Sequence, residues 1–236
     1  MRIVIIVQAR TGSSRLRGKV LTKIVDKPLL EHLLTRLKLS QKINDIVVAT
    51  TEDDADKEVV KLAEKCKVKW FVGSKDDVLD RILKAAKAAK ADIIVRVTAD
   101  NPLTDPSNID EMVNQHLKSG ADYTFTLNMP IGTGAEVISV QTLEAVSAMA
   151  KKSYDREHVT PFIRRNVERF KIQFLMPPPK LLRPEYRLTV DYKEDLELMK
   201  EVFARLYVPN SSELFSLTEV VELLDKNPEL LEINVR

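Results

Sequence analysis

Apolar runs alternate with amphipathic stretches from the first residues of the chain. "IVIIVQ" (3–8), "DIVVATT" (45–51), "VKWFVG" (68–73) and "DIIVRVTA" (92–99) are strand-like. Their near-continuous Val and Ile mark strands covered on both faces. Between them, apolar positions recur at helical spacing over roughly 28–39, 54–66 and 76–90. This rhythm predicts an α/β fold, an open and mostly parallel sheet with helices on both faces. Sheets of this kind bind ligands beyond the carboxyl ends of their strands. The segments after "IVIIVQ" and after "DIIVRVTA" are therefore the ones to inspect.

Beyond about residue 120 the rhythm loosens. "ADYTF" (121–125), "AEVISV" (135–140) and "FKIQFLM" (170–176) read as strands, the last closed by Pro177–Pro179, which offer no amide donors. "VQTLEAVSAMAKK" reads as a helix and "DREHVTPFIRRN" (155–166) as a short amphipathic segment. "RLTVDYKEDLELMKEVFARL" reads as a strand end feeding a capped helix, and "SLTEVVELLDKNPEL" as a final helix. No repeat or long linker interrupts the chain. The expectation is one domain over 1–236 with an inserted lobe at about 126–186.

Composition narrows the class. No apolar run in the 236 residues approaches the length that spans a bilayer, and the start is too short and strand-like for a signal peptide. The single cysteine, Cys66, allows no internal disulfide and no metal-ligand spacing, so a cytoplasmic protein is expected. The net charge of +2 hides an asymmetry: ten Lys and Arg against three Asp and Glu in residues 1–50, then 27 against 32. A local anion site fits that distribution better than a nucleic-acid surface, which also wants aromatics among its cations.

The anion site is visible in "IVIIVQARTGSSRLRGKVL" (3–21), where a buried strand runs into Gly12, Ser13, Ser14 and four cations without one acid. Loop amides and hydroxyls suit phosphate oxygens, Arg10, Arg15 and Arg17 bring planar forks, and Lys19 a compact charge. It is not a Walker loop: five residues separate Gly12 from Gly18, and Val20 stands where the hydroxyl should be. "GTGAEV" (132–137) fails likewise as a dinucleotide fingerprint. Asp100 and Asp191 each end a predicted strand, where Asp is a poor choice. Facing a phosphate cradle, the two suit Mg²⁺, which takes one or two carboxylates and completes its shell with phosphate and water. Each also has a local reading, Asp100 as the start of a D-N-P turn and Asp191 as a helix cap. Asp105, Asp110 and Glu111 read as caps and first-turn acids.

Taken together, "VQARTGSSRLRGKVL" resembles the signature of the sugar-acid cytidylyltransferases, nearest to the spore-coat polysaccharide branch. "GSKDDVLDR" (73–81), "VRVTADNPLTDP" (95–106), "AEVIS" (135–139), "REHVTPFI" (156–163) and "RLTVDYKEDLEL" (187–198) follow in the same order. The resemblance implies a nucleotide-diphospho-sugar transferase architecture, a homodimer, and Mg²⁺-dependent transfer of CMP from CTP to a sugar acid or polyol. It implies that Arg10, Ser13, Ser14, Arg15 and Lys19, with Ala9 and Gly12 beside them, hold the triphosphate. Asp100 and Asp191 would hold the metal, and Arg81 would read the cytosine. Glu136, Arg156, Glu157 and His158 would meet the acceptor, although "REHVTPFI" suits a subunit contact equally well. His158 is the candidate base among three histidines that each have a structural reading. One departure stands out: Thr98 occupies the place of a base-reading Gln. A nucleotidyltransferase for phosphorylated sugars and a non-catalytic nucleotide binder are the competing readings.

Overall fold

The computed structural model describes residues 1–209, 211 and 214–235. Strand β1 (Ile3–Gln8) runs through the basic loop into a small ribbon, β2 (Lys23–Ile24) and β3 (Lys27–Pro28), and then helix α1 (Leu29–Leu37). β4 (Asp45–Thr51), α2 (Lys57–Lys65), β5 (Lys69–Gly73), α3 (Val78–Ala88), β6 (Ile93–Thr98) and α4 (Pro106–Ser119) continue the alternation. The second half holds β7 (Tyr123–Thr126), β8 (Glu136–Ser139), α5 (Val140–Met149), α6 (Ser153–His158), α7 (Pro161–Arg165) and β9 (Ile172–Leu175). α8 (Lys193–Leu206), α9 (Leu217–Lys226) and a 3₁₀ segment, Pro228–Asn234, end the chain.

Seven strands form one sheet in the order β5-β4-β1-β6-β8-β7-β9. Among the described strands of this sheet only β8 runs against its neighbours, β6 and β7. β1 lies inside the sheet between β4 and β6, and its alternation splits the core: Ile3, Ile5 and Val7 face α1, α2 and α4, while Val4 and Ile6 face α3 and α5. That is the doubly covered parallel sheet the Val and Ile runs predict. Among the described residues no helix is long and apolar enough to cross a membrane.

A third cluster stands apart from both faces. It joins α8 and α9 to Ile24, Leu29, Leu103 and Met129, with Leu188 and Val190 buried among them. Here one expectation is corrected. "RLTV" (187–190) is not the end of a sheet strand; it is an extended segment outside the sheet with an isolated bridge between Arg187 and Ile131. Leu188 N–H donates to the Ile131 carbonyl at 2.7 Å, and Val190 N–H to the Asp100 carbonyl at 2.9 Å. The alternating apolar residues turn into the third cluster instead of a sheet face. Gly132 permits the approach: at φ +90° its missing Cβ would lie 2.5 Å from the Thr189 nitrogen. Asp191 is thereby delivered beside the end of β6.

Candidate active site

The basic loop is shaped from its first residue. Thr11 donates both its amide (2.7 Å) and its hydroxyl (2.6 Å) to Asp56 Oδ1, and Thr51 donates its hydroxyl to the other oxygen. Burial disfavours charge on Asp56, but these donors outweigh it and hold its pKa below the usual carboxylate range. The Thr11 carbonyl accepts the amides of Ser13 and Gly18, both at 2.9 Å, which closes the loop. Gly18 makes that closure in the left-handed region at φ +73°. The amides of Gly12, Ser14 and Arg15 have no hydrogen-bond partner among the described residues. A loop with free amides and cations on its rim is a ready anion cradle.

Lys19 sits at the end of this loop, 5% exposed. Its Nζ donates to Asp100 Oδ2 at 2.7 Å and to Asp191 Oδ1 at 2.9 Å. Arg15 also reaches Asp191 Oδ1 (2.7 Å), and Arg187 takes Oδ2 (2.7 Å). Burial works against the Asp191 charge, but Lys19, Arg15 and Arg187 together keep its pKa below normal. One ammonium therefore bridges two carboxylates from segments far apart in sequence. Among the described residues no third His, Cys, Asp or Glu joins them as a metal-ligand cluster. Two carboxylates, with other positions left for phosphate and water, is the donor set Mg²⁺ accepts.

A cleft of about 320 Å³ opens over these groups. Arg10, Ser13, Ser14, Arg15, Lys19, Thr98, Asp100, Glu157 and His158 all line it, so nine of the anticipated residues meet in one place. Gln8, Val78 and Arg96 line it too and were not anticipated. A second cavity, about 650 Å³, shares Arg15 and Asp191 with the cluster and adds Arg187 and Tyr192. The carboxylates thus lie between two openings.

Other anticipated residues lie elsewhere. Ala9 is buried, its amide on the Ala49 carbonyl at 3.1 Å, and Gly12 is exposed on the loop. Arg156 is spent on structure: Nε reaches Asp77 at 2.6 Å, and Nη1 the carbonyls of Ser147 and Ala150 at 3.2 and 3.1 Å. Glu136 is saturated. Its Oε2 accepts from Arg96 at 2.5 Å, and its Oε1 from Tyr123 (2.5 Å), Thr160 (2.9 Å) and Arg164 (3.0 Å). Burial opposes its charge, and the two arginines and the Tyr123 hydroxyl overcome that.

Arg81 is different again. It is fully buried, donates to the Ser74 carbonyl, and has Nε and Nη2 without partners among the described residues. Burial, aided by the charge of Arg10, lowers its pKa to about 10. Unmet donors on a buried cation are costly unless something completes them. Past Arg156, the chain makes a γ-turn at Val159 (φ +70°, ψ −61°), with Thr160 N–H on the His158 carbonyl at 2.8 Å. This is strained backbone for a β-branched residue. The burial of Val159 and the Thr160–Glu136 bond hold it, with His158 at the cleft wall and Tyr154 4.5 Å away.

A cytidylyltransferase family profile matches residues 4–224. The chain belongs to the cytidylyltransferase family. This cytidylyltransferase is 38% identical over 232 residues to the spore coat polysaccharide biosynthesis protein SpsF of Bacillus subtilis, covering 96% of this chain and 95% of that protein. It is 30% identical over 147 residues to a 3-deoxy-manno-octulosonate cytidylyltransferase of Geobacter metallireducens, or 62% of this chain and 57% of that one. Its fold matches a cytidylyltransferase structure from Leptospira borgpetersenii with a TM-score of 0.91 and 34% identity, covering 100% and 99% of the two chains.

Around the Lys19 cluster, sequence reasoning passed over Asp56, Arg96 and Arg187. Arg96 left a signal, a lone cation inside the apolar run "DIIVRVTA". Asp56 left little, because Thr11 lies 45 residues away, and the Arg187–Asp191 spacing of four reads as a pair only in a helix, which this segment is not.

Proposed function

We propose that this cytidylyltransferase moves CMP from CTP to the hydroxyl of a sugar acid or related acceptor, releasing pyrophosphate, with Mg²⁺ held by Asp100 and Asp191. The observation that carries the reading is the Lys19 ammonium bridging both carboxylates at the mouth of a cradle with free amides. Arg10, Arg15 and the cradle amides bind the β- and γ-phosphates and take up the charge that builds on pyrophosphate as it leaves. Lys19 turns to the same oxygens once a phosphate enters. Asp100 and Asp191 would hold Mg²⁺, which when bound would neutralise charge on the phosphates. The acceptor oxygen bonds to the α-phosphorus in line as the bond to pyrophosphate breaks, and the acceptor's proton leaves to water or a nearby base. The protein contributes chiefly placement. Arg81 is assigned to the cytosine on its unmet donors, which lie buried outside the cleft lining, so base recognition requires the wall at Val78 to open. SpsF's association with spore coat polysaccharide supports a role in supplying activated precursors for surface glycans.

Thermal unfolding against CTP, UTP, ATP and GTP, each with and without Mg²⁺, tests this. At a hundred times its dissociation constant, a nucleotide adds ~2.7 kcal/mol, a shift of roughly 5–10 °C for a domain of this size. A shift selective for CTP and larger with Mg²⁺ is expected, followed by pyrophosphate release on addition of sugar acids. A shift with another nucleotide alone would show that Thr98 has changed the base read, and no shift would remove the nucleotide reading altogether.

A further inference from the structure

Asp191 is held from behind by a closed ring of polar contacts. Arg187 donates Nη2 to Asp191 Oδ2 at 2.7 Å and Nε to Asp195 Oδ1 at 3.2 Å. Asp195 Oδ2 accepts the amides of Asp191 and Tyr192, both at 2.9 Å, so the carboxylate one turn into α8 reaches back to the residues preceding the helix. Asp195 is wholly buried, and burial alone would disfavour its charge. The ring is completed from the C-terminal 3₁₀ segment. Asn234, 5% exposed, donates through Nδ2 to Asp195 Oδ1 at 2.9 Å and to the Arg187 carbonyl at 3.0 Å. Both protons of one amide are thus used, one on each side of the ring.

The front of Asp191 differs from its back. Oδ1 meets Lys19 and Arg15, long side chains that phosphate can recruit, whereas Oδ2 and the Asp191 amide meet Arg187 and Asp195, both members of the ring. A carboxylate that must keep its direction while its front partners change needs such a backing. We propose that Asn234, acting through Asp195 and Arg187, is a positioning residue for Asp191, so that the last turn of the chain sets how strongly a divalent cation promotes nucleotide binding. The inference rests on the Mg²⁺- and CTP-dependent reading given above. It separates the site into two parts: the cradle, built on Thr11 and Asp56, binds phosphate without the tail, and the Asp191 side depends on it.

The experiment is calorimetric titration of CTP, in EDTA and in Mg²⁺, into wild type, Asn234→Ala, Asn234→Asp and Leu230→Ala. Leu230 packs the same segment into the third cluster with a side chain that can offer the ring no hydrogen bond, and so controls for mere loosening of the tail. Asn234→Asp keeps the size of the side chain, removes both donors and sets a carboxylate against Asp195. In Asn234→Ala, affinity in EDTA should stay within about twofold of wild type. The gain from Mg²⁺ should fall by about tenfold, the scale seen when partners that orient metal ligands are removed. Asn234→Asp should lose more, and its 187–195 peptide should exchange amide hydrogens faster, with no ligand present. Leu230→Ala should lower the melting temperature and keep the Mg²⁺ gain. If both Asn234 variants keep the wild-type gain, or if Leu230→Ala loses it equally, the positioning role is overturned while the function stands. A wild type that binds no CTP under either condition would overturn the functional reading and this inference with it.

Discussion

Two clusters of cations and carboxylates lie near the carboxyl end of β6, each built on arginines around an acid and suited to opposite tasks. In one, Lys19, Arg15 and Arg187 surround Asp191 while Lys19 also holds Asp100, whose side chain is 23% exposed to the cleft. In the other, Arg96, Arg164, Tyr123 and Thr160 surround Glu136, 14% exposed. Arg96 and Glu136 are register partners on β6 and β8, so the sheet itself fixes their pairing. No sheet pairing fixes the first cluster; its cations come from a loop and an extended segment. The difference is one of exchange. A carboxylate whose partners are long, loop-borne cations can trade them for a ligand, and a carboxylate whose every oxygen is filled by the scaffold cannot.

The largest effect that would test this contrast is on stability. Glu136→Ala leaves Arg96, 12% exposed, without its anion in a buried setting, which should cost about 3–5 kcal/mol. Urea unfolding would read that loss, and CTP affinity of the remaining folded protein should change little. A loss below about 1 kcal/mol would mean that Glu136 is not the saturated anchor it looks. Next comes Lys19→Ala, where the loss should fall on turnover instead. Removing one donor aimed at developing charge typically costs about 10²–10³ in rate, or ~2.7–4 kcal/mol. Pyrophosphate release at near-normal rate in that variant would erase the distinction between the clusters.

Acid titration sharpens the comparison by isolating a group that belongs to neither cluster. Glu136 and Asp191 both have folded pKa values below their usual ones. Their stabilisation is present above the ordinary carboxylate range and is lost only as the pH falls through the lower folded values. His116, on α4, is buried 2.9 Å from the Thr124 hydroxyl, and burial lowers its pKa from 6.5 to about 4. The unfolded chain takes up that proton first, so its contribution is complete above pH 6.5 and drains away between there and about 4. The loss amounts to about 3 kcal/mol. In His116→Gln this early limb should shrink to what buried His32, whose pKa burial also lowers, contributes with the same sign, and the later carboxylate limb should remain. An unchanged early limb would place the titration elsewhere.

How much of this was legible beforehand differs between the clusters. The strand periodicity of "IVIIVQ" and "DIIVRVTA" marks the sheet edge where Lys19 and Asp100 stand, and their chemistry is written in the loop itself. Glu136 and Asp191 look alike in sequence, each an acid beside a short apolar run. What separates them is the company they keep: Arg96 lies 40 residues before Glu136 and Arg164 28 after it, while Lys19 lies 172 before Asp191. The alternation of Leu188 and Val190 says that one face is buried and is silent on whether a sheet or a helical cluster buries it. Gly132 illustrates the same limit, since its glycine serves close approach to Thr189 and not a nucleotide. Asn234 carries no local signal at all.

The smallest predicted effect probes the exchangeable side most directly. Arg10 and Glu157 approach to 3.7 Å at the rim of the cleft, with side chains 36% and 52% exposed. A pair so open to water adds little to folding, within about 0.5 kcal/mol. Glu157→Gln should therefore leave the melting temperature within about 2 °C of wild type. It should nonetheless tighten nucleotide binding by about two- to threefold, because Arg10 no longer divides its charge between a carboxylate and a phosphate. The gain should shrink as salt rises, the mark of a screened interaction at an exposed site. Weaker binding in Glu157→Gln would mean that Glu157 itself contacts the ligand, and the α6 wall would then belong to substrate recognition and not to the restraint of Arg10.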